Sequence, residues 1–162
     1  MNKFKLLTII LLLPIIGLAQ KSPMDKVFEK YAGKEGFTTV NITGALLNLA
    51  SGVVSDSTTS KIMSKLESIR ILTLEDSNLS KSINFYNELE KEGFLKNNNY
   101  NTLMEIFEKG NKVRFYAKKF GNDKLSDLIL IVEGEENVLI NISGIIEPKN
   151  IPQITKTLNI KL

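Results

Sequence analysis

The acidic side chains near the end of the chain are the first candidates for chemistry. Glu133, Glu135 and Glu136 cluster at one predicted hairpin, and Asp123 and Asp127 flank the start of another strand. Two carboxylates can serve a hydrolase, and several oxygen ligands can hold Ca²⁺. However, the D-x-D-x-D-G spacing of a calcium loop is absent, and acids in turns normally face water. A carboxylate-dependent hydrolase or calcium-assisted enzyme is therefore the alternative reading; we predict no catalytic residue, metal ligand or cofactor.

A basic stripe is the second candidate. In the segment "KVRFYAKKF", alternation puts Lys112, Arg114, Tyr116 and Lys118 on one face of a strand and apolar residues on the other. Such a stripe suits an anionic glycan, a lipid headgroup or an acidic partner. It also suits a solvated face whose charges prevent strands from associating edge to edge.

Two similar segments are the third candidate: "VNITG" at Val40–Gly44 and "INISG" at Ile140–Gly144. Both match the N-glycosylation pattern, but Asn is abundant along the whole chain, so chance matches are expected. The alternation of a strand instead places the isoleucines toward the core and the amides and hydroxyls on the other face. These polar side chains form a candidate binding face for sugar or peptide hydroxyls: Asn41, Thr43, Asn141 and Ser143.

The beginning of the chain predicts export. Lys3 and Lys5 precede the apolar run Leu6–Ile16, and small residues follow up to Ala19. This order is typical of a secretory signal peptide over residues 1–19, cleaved after Ala19. The run is shorter than the ~20 residues that a membrane-spanning helix needs. No Cys follows it, so we expect a periplasmic or secreted protein that is not a lipoprotein, with no transmembrane segment after cleavage.

Composition limits the chemistry of residues 20–162, which we interpret as a single domain. The 162-residue chain contains no Cys and no His, which excludes disulfides, a His-based triad, a Cys nucleophile and a zinc site of the usual kind. Without the two leader lysines, 19 basic residues face 18 acidic ones. Net charge therefore gives no reason to expect nucleic acid as a partner.

The patterns predict an α+β fold with a mostly antiparallel sheet that ends in a four-stranded meander, and with helices packed on one face. The clearest predicted helix is "NLSKSINFYNELEKEGF" (Asn78–Phe94), and another is predicted around Thr58–Glu67. Ser68–Leu74 is apolar on both faces except for Arg70, which is typical of an interior strand. Five aromatic residues are predicted to lie in the core rather than in a groove: Tyr31, Phe37, Phe85, Tyr86 and Phe94.

Four segments occur in an order that resembles a known family: "VFEKYAGKEGFTTVNIT", "LESIRILTLE", "KVRFYAKKFG" and "LSDLILIVEGEENVLINISGII". From about Asp25 to Leu158, the chain resembles the exported bacterial proteins grouped as domain of unknown function 4252 (DUF4252). The resemblance implies a Gram-negative host of the Bacteroidetes type and a location in its envelope. It implies no activity and no catalytic residues.

These observations favour a non-catalytic envelope protein that binds or regulates a protein, glycan or lipid partner through the polar or basic face of its sheet. A third possibility, after the carboxylate-dependent enzyme, is a small carrier that encloses an apolar ligand. A cavity of several hundred cubic ångströms would favour the carrier, and a close-packed core would exclude it.

Overall fold

The structure is a computed structural model that describes residues 22–76, 79, 82–91, 93–134 and 137–157. The predicted signal peptide and the acidic pair Glu135 and Glu136 lie outside the described residues. Within the described part, six strands and six helices confirm the predicted α+β class.

One antiparallel sheet contains all six described strands, in the order β1-β2-β6-β5-β4-β3. The strands are β1 (Phe37–Thr43), β2 (Leu66–Leu74), β3 (Tyr100–Glu108), β4 (Asn111–Phe120), β5 (Lys124–Glu133) and β6 (Asn137–Ile146). The last four strands of the chain are consecutive neighbours, so the predicted meander is confirmed. The strand predicted to be interior, β2, does lie between two others.

The described helices are short. They are α1 (Pro23–Tyr31), α2 (Gly44–Ser51), α3 (Ser57–Met63), α4 (Phe85–Glu90), α5 (Phe94–Asn97) and α6 (Ile151–Thr157), the last preceded by a 3-10 turn at Pro148–Asn150. Helix α1 begins with a local capping signal: the Ser22 hydroxyl accepts a hydrogen bond from the backbone N–H of Asp25 at 3.1 Å, and Pro23 follows the cap.

The expectation that helices cover one face is corrected, because they pack on both faces. Helices α1, α4 and α5 cover the side of the sheet that carries Leu72, Ile129 and Leu139, which we call the α1 face. Helices α2, α3 and α6 cover the side that carries Ile69 and Ile142, which we call the α2 face. The domain therefore has three layers and two apolar cores, one on each side of the sheet.

The predicted helix at Asn78–Phe94 is also corrected. Helix α4 begins at Phe85, because the Asn84 side chain accepts a hydrogen bond from the Asn87 backbone N–H at 2.8 Å and caps the helix there. Asn78, Ser80, Lys81 and Glu92 of the predicted helix lie outside the described residues. Gly93, at φ 61°, then separates α4 from α5. Similarly, the helix predicted around Thr58–Glu67 ends at Met63, because β2 begins at Leu66.

The two similar segments, Val40–Gly44 and Ile140–Gly144, lie on opposite sides of the same strand. Both pair with β2 in the same register, so their equivalent residues share cross-strand rows. The rows are Val40–Ile71–Ile140, Asn41–Arg70–Asn141, Ile42–Ile69–Ile142 and Thr43–Ser68–Ser143. The similarity of the segments thus follows from a shared neighbour, which requires the same alternation on each side.

The glycines that end both segments meet the irregular start of β2. The register between β2 and β6 shifts between Leu66 and Ser68. A Cβ atom on Gly44 would lie 2.8 Å from the Glu67 carbonyl oxygen, and one on Gly144 would lie 2.5 Å from the Lys65 carbonyl oxygen. Gly144 also has φ +131°, a conformation that residues with a side chain rarely adopt. This position therefore favours glycine for two reasons, the close backbone contact and the backbone conformation.

We expect Gly144→Ala to lower the free energy of unfolding by about 3 kcal/mol, since the added methyl group must displace backbone as well as strain φ. Urea denaturation followed by circular dichroism measures the loss. The matched control is Gly52→Ala: Gly52 has an ordinary helical φ of −73°, and its added Cβ would meet no atom closer than 3.5 Å. An equal loss in both variants would contradict the role assigned to the β2 bulge.

Candidate functional site

The predicted polar face lies on the α1 face of the sheet, and Arg70 is inserted into it. β2 separates β1 from β6, so Asn41 and Asn141 are not neighbours; the Arg70 guanidinium lies in the row between them. It donates hydrogen bonds to the Asn141 side-chain oxygen at 2.8 Å and to the Asp25 carboxylate of α1 at 2.6 Å. It also lies 4.6 Å from the ring centre of Phe28.

The Arg70 contacts fix the charge state of Asp25. Partial burial favours the neutral acid, but hydrogen bonds from Arg70 and Ser22 outweigh it and lower the pKa of Asp25 below its usual value. Asn141, 3% exposed, has its acceptor oxygen used by Arg70. This part of the predicted binding face is therefore a structural link between α1, β2 and β6.

The remaining residues of the predicted polar face differ in exposure. Asn41 and Thr43 are exposed on β1, whereas Ser143 is half-buried. The Thr43 hydroxyl caps α2 by accepting a long hydrogen bond, 3.5 Å, from the Leu46 backbone N–H. Binding by these exposed residues stays a prediction.

The predicted basic stripe does not form one open surface. Arg114 is 9% exposed, ion-paired with Glu133 of β5 and with Glu105 at 3.2 Å, and it lies 4.2 Å from the ring centre of Tyr86 on α4. Tyr116 is buried beside Tyr86, and burial raises the pKa of its phenol well above its usual value. Arg114 and Tyr116 therefore belong to the packing of α4 against the sheet.

The ends of the stripe are more accessible. Lys112 is exposed, and Lys118 is half-buried. The Lys118 ammonium lies 3.4 Å from the Asp127 carboxylate and 4.8 Å from the ring centre of Tyr100. Together with Lys96, Lys119 and the neighbouring asparagines, Lys118 lines an open cleft of about 750 Å³.

The acidic candidates are separated by the fold. Glu133 is buried against Arg114, Asp127 pairs with Lys118, and Asp123 is exposed at the β4–β5 turn. Two carboxylates, Glu105 and Glu133, do converge, but the group between them is the Arg114 guanidinium. Neither the cleft nor the pocket described below is lined by an acidic residue. Of the described candidates, Glu133 and Asp127 are therefore neutralised by basic partners rather than presented to a substrate.

The aromatic residues predicted to form core do so. Tyr31 stacks on Phe37 with ring centres 4.6 Å apart and meets Phe85 edge-on at 5.8 Å. Phe94 packs against Tyr100, and Tyr86 packs against the same core on the α1 face.

The α2 face contains an apolar pocket of about 290 Å³. Its wall comes from five separate elements: Ile42 of β1, Leu47 of α2, Thr59, Ile62 and Met63 of α3, Leu66 and Ile69 of β2, and Gln153 and Ile154 of α6. Seven of these nine side chains are aliphatic or thioether groups, so the pocket can hold an apolar group without unpaired polar atoms.

Two polar contacts tie the helices around this pocket. The Gln153 amide donates to the Thr59 hydroxyl at 3.4 Å, which links α6 to α3. The Lys65 ammonium lies 2.7 Å from the Glu147 carboxylate, just before α6, and Lys149 lies 2.9 Å from the same carboxylate. These two lysines lower the pKa of Glu147 to about 2, so this link stays charged under ordinary conditions.

Comparison with known proteins identifies the family. The model of the family described as domain of unknown function (DUF4252) matches residues 31–154. The chain belongs to the DUF4252 family. No curated protein and no solved structure gives a match to it. Among the described residues of this DUF4252 protein, no helix is both long and apolar enough to cross a membrane.

The pocket of this DUF4252 protein was missed by reasoning from sequence. Each of its aliphatic residues fits a core position in its own helix or strand, and no pattern within one element reveals a gap among five. The one available signal was a polar pair, Thr59 and Gln153, that lies beside apolar residues of the same helices, Ile62, Met63 and Ile154.

We expect Arg70→Met to lower the free energy of unfolding by about 2 kcal/mol, because Asn141 is left buried without the donor that satisfies its oxygen. The double variant Arg70→Met/Asn141→Leu replaces both partners by apolar groups and is expected to regain most of that loss. Urea denaturation measures both, with Lys112→Met as a control expected to change stability by less than about 0.5 kcal/mol. A double variant no more stable than Arg70→Met would contradict the assigned hydrogen bond.

Proposed function

We propose that this DUF4252 protein is an exported, non-catalytic binding module that holds an apolar group in the pocket between helices α2, α3 and α6 and the β1–β2 end of the sheet. The observation that carries the proposal is the cavity of about 290 Å³ with a mainly aliphatic wall. Small-ligand sites are mostly apolar and concave, with a few polar groups that set orientation. Thr59 and Gln153 are such groups here.

The pocket leaves part of its apolar wall uncovered. Ile42 and Met63 are only half-buried, although each packs among aliphatic neighbours, and Leu46 and Leu49 of the adjacent helix α2 are exposed. Contiguous apolar surface that a domain does not cover itself often marks a binding site. The open pocket is therefore consistent with a site that a ligand covers.

The polar and basic residues of the sheet support this choice by their own contacts. Arg70, Arg114 and Asn141 are committed to partners within the domain, and Arg114 neutralises the two acids that converge on it. Because the converging acids are neutralised, these contacts favour a binding function over hydrolysis. Because the polar side chains of the α1 face are already paired, they also favour the α2 face as the place where a ligand binds.

The test is fluorescence titration of the protein comprising residues 20–162 with dansyl-labelled undecanoic acid, an apolar chain with a reporter. We expect saturable binding with a Kd near 10 µM, about 7 kcal/mol. Met63→Trp fills the pocket and is expected to raise the Kd at least about tenfold. Met104→Trp is the matched control, since Met104 lies on β3 at the opposite edge of the sheet and is 37% exposed.

If Met63→Trp and the wild type bind the probe equally strongly, the probe binds elsewhere, and the assignment of the pocket as the binding site is wrong. Circular dichroism and the urea midpoint of each variant separate a loss of binding from a loss of folding.

Export is the second part of the proposal and is supported by the charged, apolar and small-residue order of residues 1–19. We expect the protein recovered from the periplasm or medium of its host to begin at Gln20. Intact-mass measurement checks this; a product in the cytoplasm that retains Met1–Ala19 would contradict it.

A further inference from the structure

Strand β1 forms one edge of the sheet. It pairs with β2 along all seven of its residues with no shift of register, and no other described strand lies on its far side. Alternate backbone N–H and C=O groups of an antiparallel strand point away from its partner. Thr38 to Asn41 are exposed, so this row of donors and acceptors is accessible in the described part of the chain.

The two edges of the sheet differ in what protects them. β3, the opposite edge, carries Glu105 and Glu108, and its pairing shifts between Thr102 and Met104. Charges and bulges of this kind discourage other strands from adding to an edge. β1 has neither, and the chain contains no Asp, Glu, Lys or Arg from Gly36 to Ser55. β1 therefore lacks the features that natural sheets use to prevent strand addition.

The accessible edge adjoins the apolar pocket through Ile42. Ile42 lies on β1 and forms part of the pocket wall. Val40, two residues earlier on the same face, is 39% exposed, and α2, which follows β1 directly, exposes Leu46 (55%) and Leu49 (74%). A strand that pairs with β1 would run about 4.8 Å away and place every second side chain on this face, beside Val40 and Ile42.

We propose that β1 binds an extended, uncharged segment of another protein, which adds a seventh strand to the sheet and places one of its apolar side chains in the pocket. This inference rests on the proposed function, because it identifies the apolar group held there as a side chain of a peptide. Backbone hydrogen bonds supply the affinity in such strand addition, and the pocket supplies the preference for an apolar residue at one position.

A peptide fits these features better than the two other occupants. A free lipid would use the pocket but would leave the backbone groups of β1 unused. In a second copy of this chain, Ile42 already belongs to its own pocket wall, so β1 cannot supply the largest apolar side chain of this face to its neighbour's pocket.

The probe for the test is a capped, fluorescent heptapeptide of alternating threonine and leucine, titrated by fluorescence anisotropy against residues 20–162. We expect a micromolar Kd for the wild type, and at least a tenfold weaker interaction for the same peptide N-methylated at every residue, which cannot donate backbone hydrogen bonds. Val40→Lys is expected to weaken binding of the unmodified peptide at least tenfold. Leu103→Lys, on the protected edge, is expected to leave the Kd within about twofold.

The same variants separate this inference from the proposed function. Val40→Lys is expected to bind dansyl-labelled undecanoic acid like the wild type, whereas Met63→Trp is expected to lose both probes. If the fatty-acid probe binds the pocket but the peptide does not bind, the proposed function stands and strand addition is wrong. If only the peptide binds and Met63→Trp does not weaken it, the pocket assignment is wrong.

Two further outcomes would overturn the inference. One is equal binding of the N-methylated peptide, which would exclude backbone pairing. The other is a wild-type dimer in sedimentation velocity that Val40→Lys converts to a monomer, since a second copy would then be the occupant of the β1 edge.

Discussion

The half-buried guanidinium of Arg70 constrains the arrangement of the sheet and its first helix. A charge that is partly withdrawn from water between two strands needs partners, because an unpaired charge there costs more than a paired one. Asp25 comes from α1, Asn141 from β6, and the ring of Phe28 covers the group. A slip of β2 by one residue would turn Arg70 toward the apolar α2 face. The arginine thus determines both the register of β2 and the face on which α1 packs.

Arg114 repeats this principle further along the same α1 face. Its charge is compensated by Glu105 and Glu133, and the Tyr86 ring of α4 lies against it. Helices α1 and α4 are therefore each placed over an arginine by an aromatic contact, and carboxylates complete the charge balance. Such pairs contribute specificity of packing more than net stability, because desolvation offsets much of the attraction.

The strands were predictable from sequence because their alternation is a local property. Val113, Phe115 and Ala117 do point to one face, and the continuous apolar run of β2 does mark an interior strand. The covering of both faces was not predictable in the same way. Arg114 and Asn141 have the polarity of solvent-facing residues, and their partners, Glu133 and Arg70, are distant along the chain. Polar residues at alternate positions indicate one face, but only tertiary contacts decide whether that face meets water.

The boundaries of α4 show a related limit. Leu79, Ile83, Tyr86 and Leu89 recur at helical spacing, and all four do pack in the core on the α1 face. This spacing does not reveal that the Asn84 side chain caps the backbone, so that α4 begins at Phe85. The candidate site was even harder to predict from the sequence. A pocket forms where the side chains of several helices and strands do not fill the space between them, and no single element shows this. The residues predicted to bind were polar, whereas the observed cavity has a largely aliphatic wall.

The open apolar pocket on the α2 face and the uncharged edge of β1 are two separate departures from what stabilises a small domain. Apolar side chains left partly uncovered gain less from burial, and an uncharged edge risks aggregation. Local departures from otherwise consistent design are expected at functional sites, where selection for binding outweighs the loss of stability. Ile42 belongs to both features, as a wall residue of the pocket and as a member of the edge strand. One strand added at β1 would pair the edge and place an apolar side chain in the pocket, so the proposed binding event would account for both.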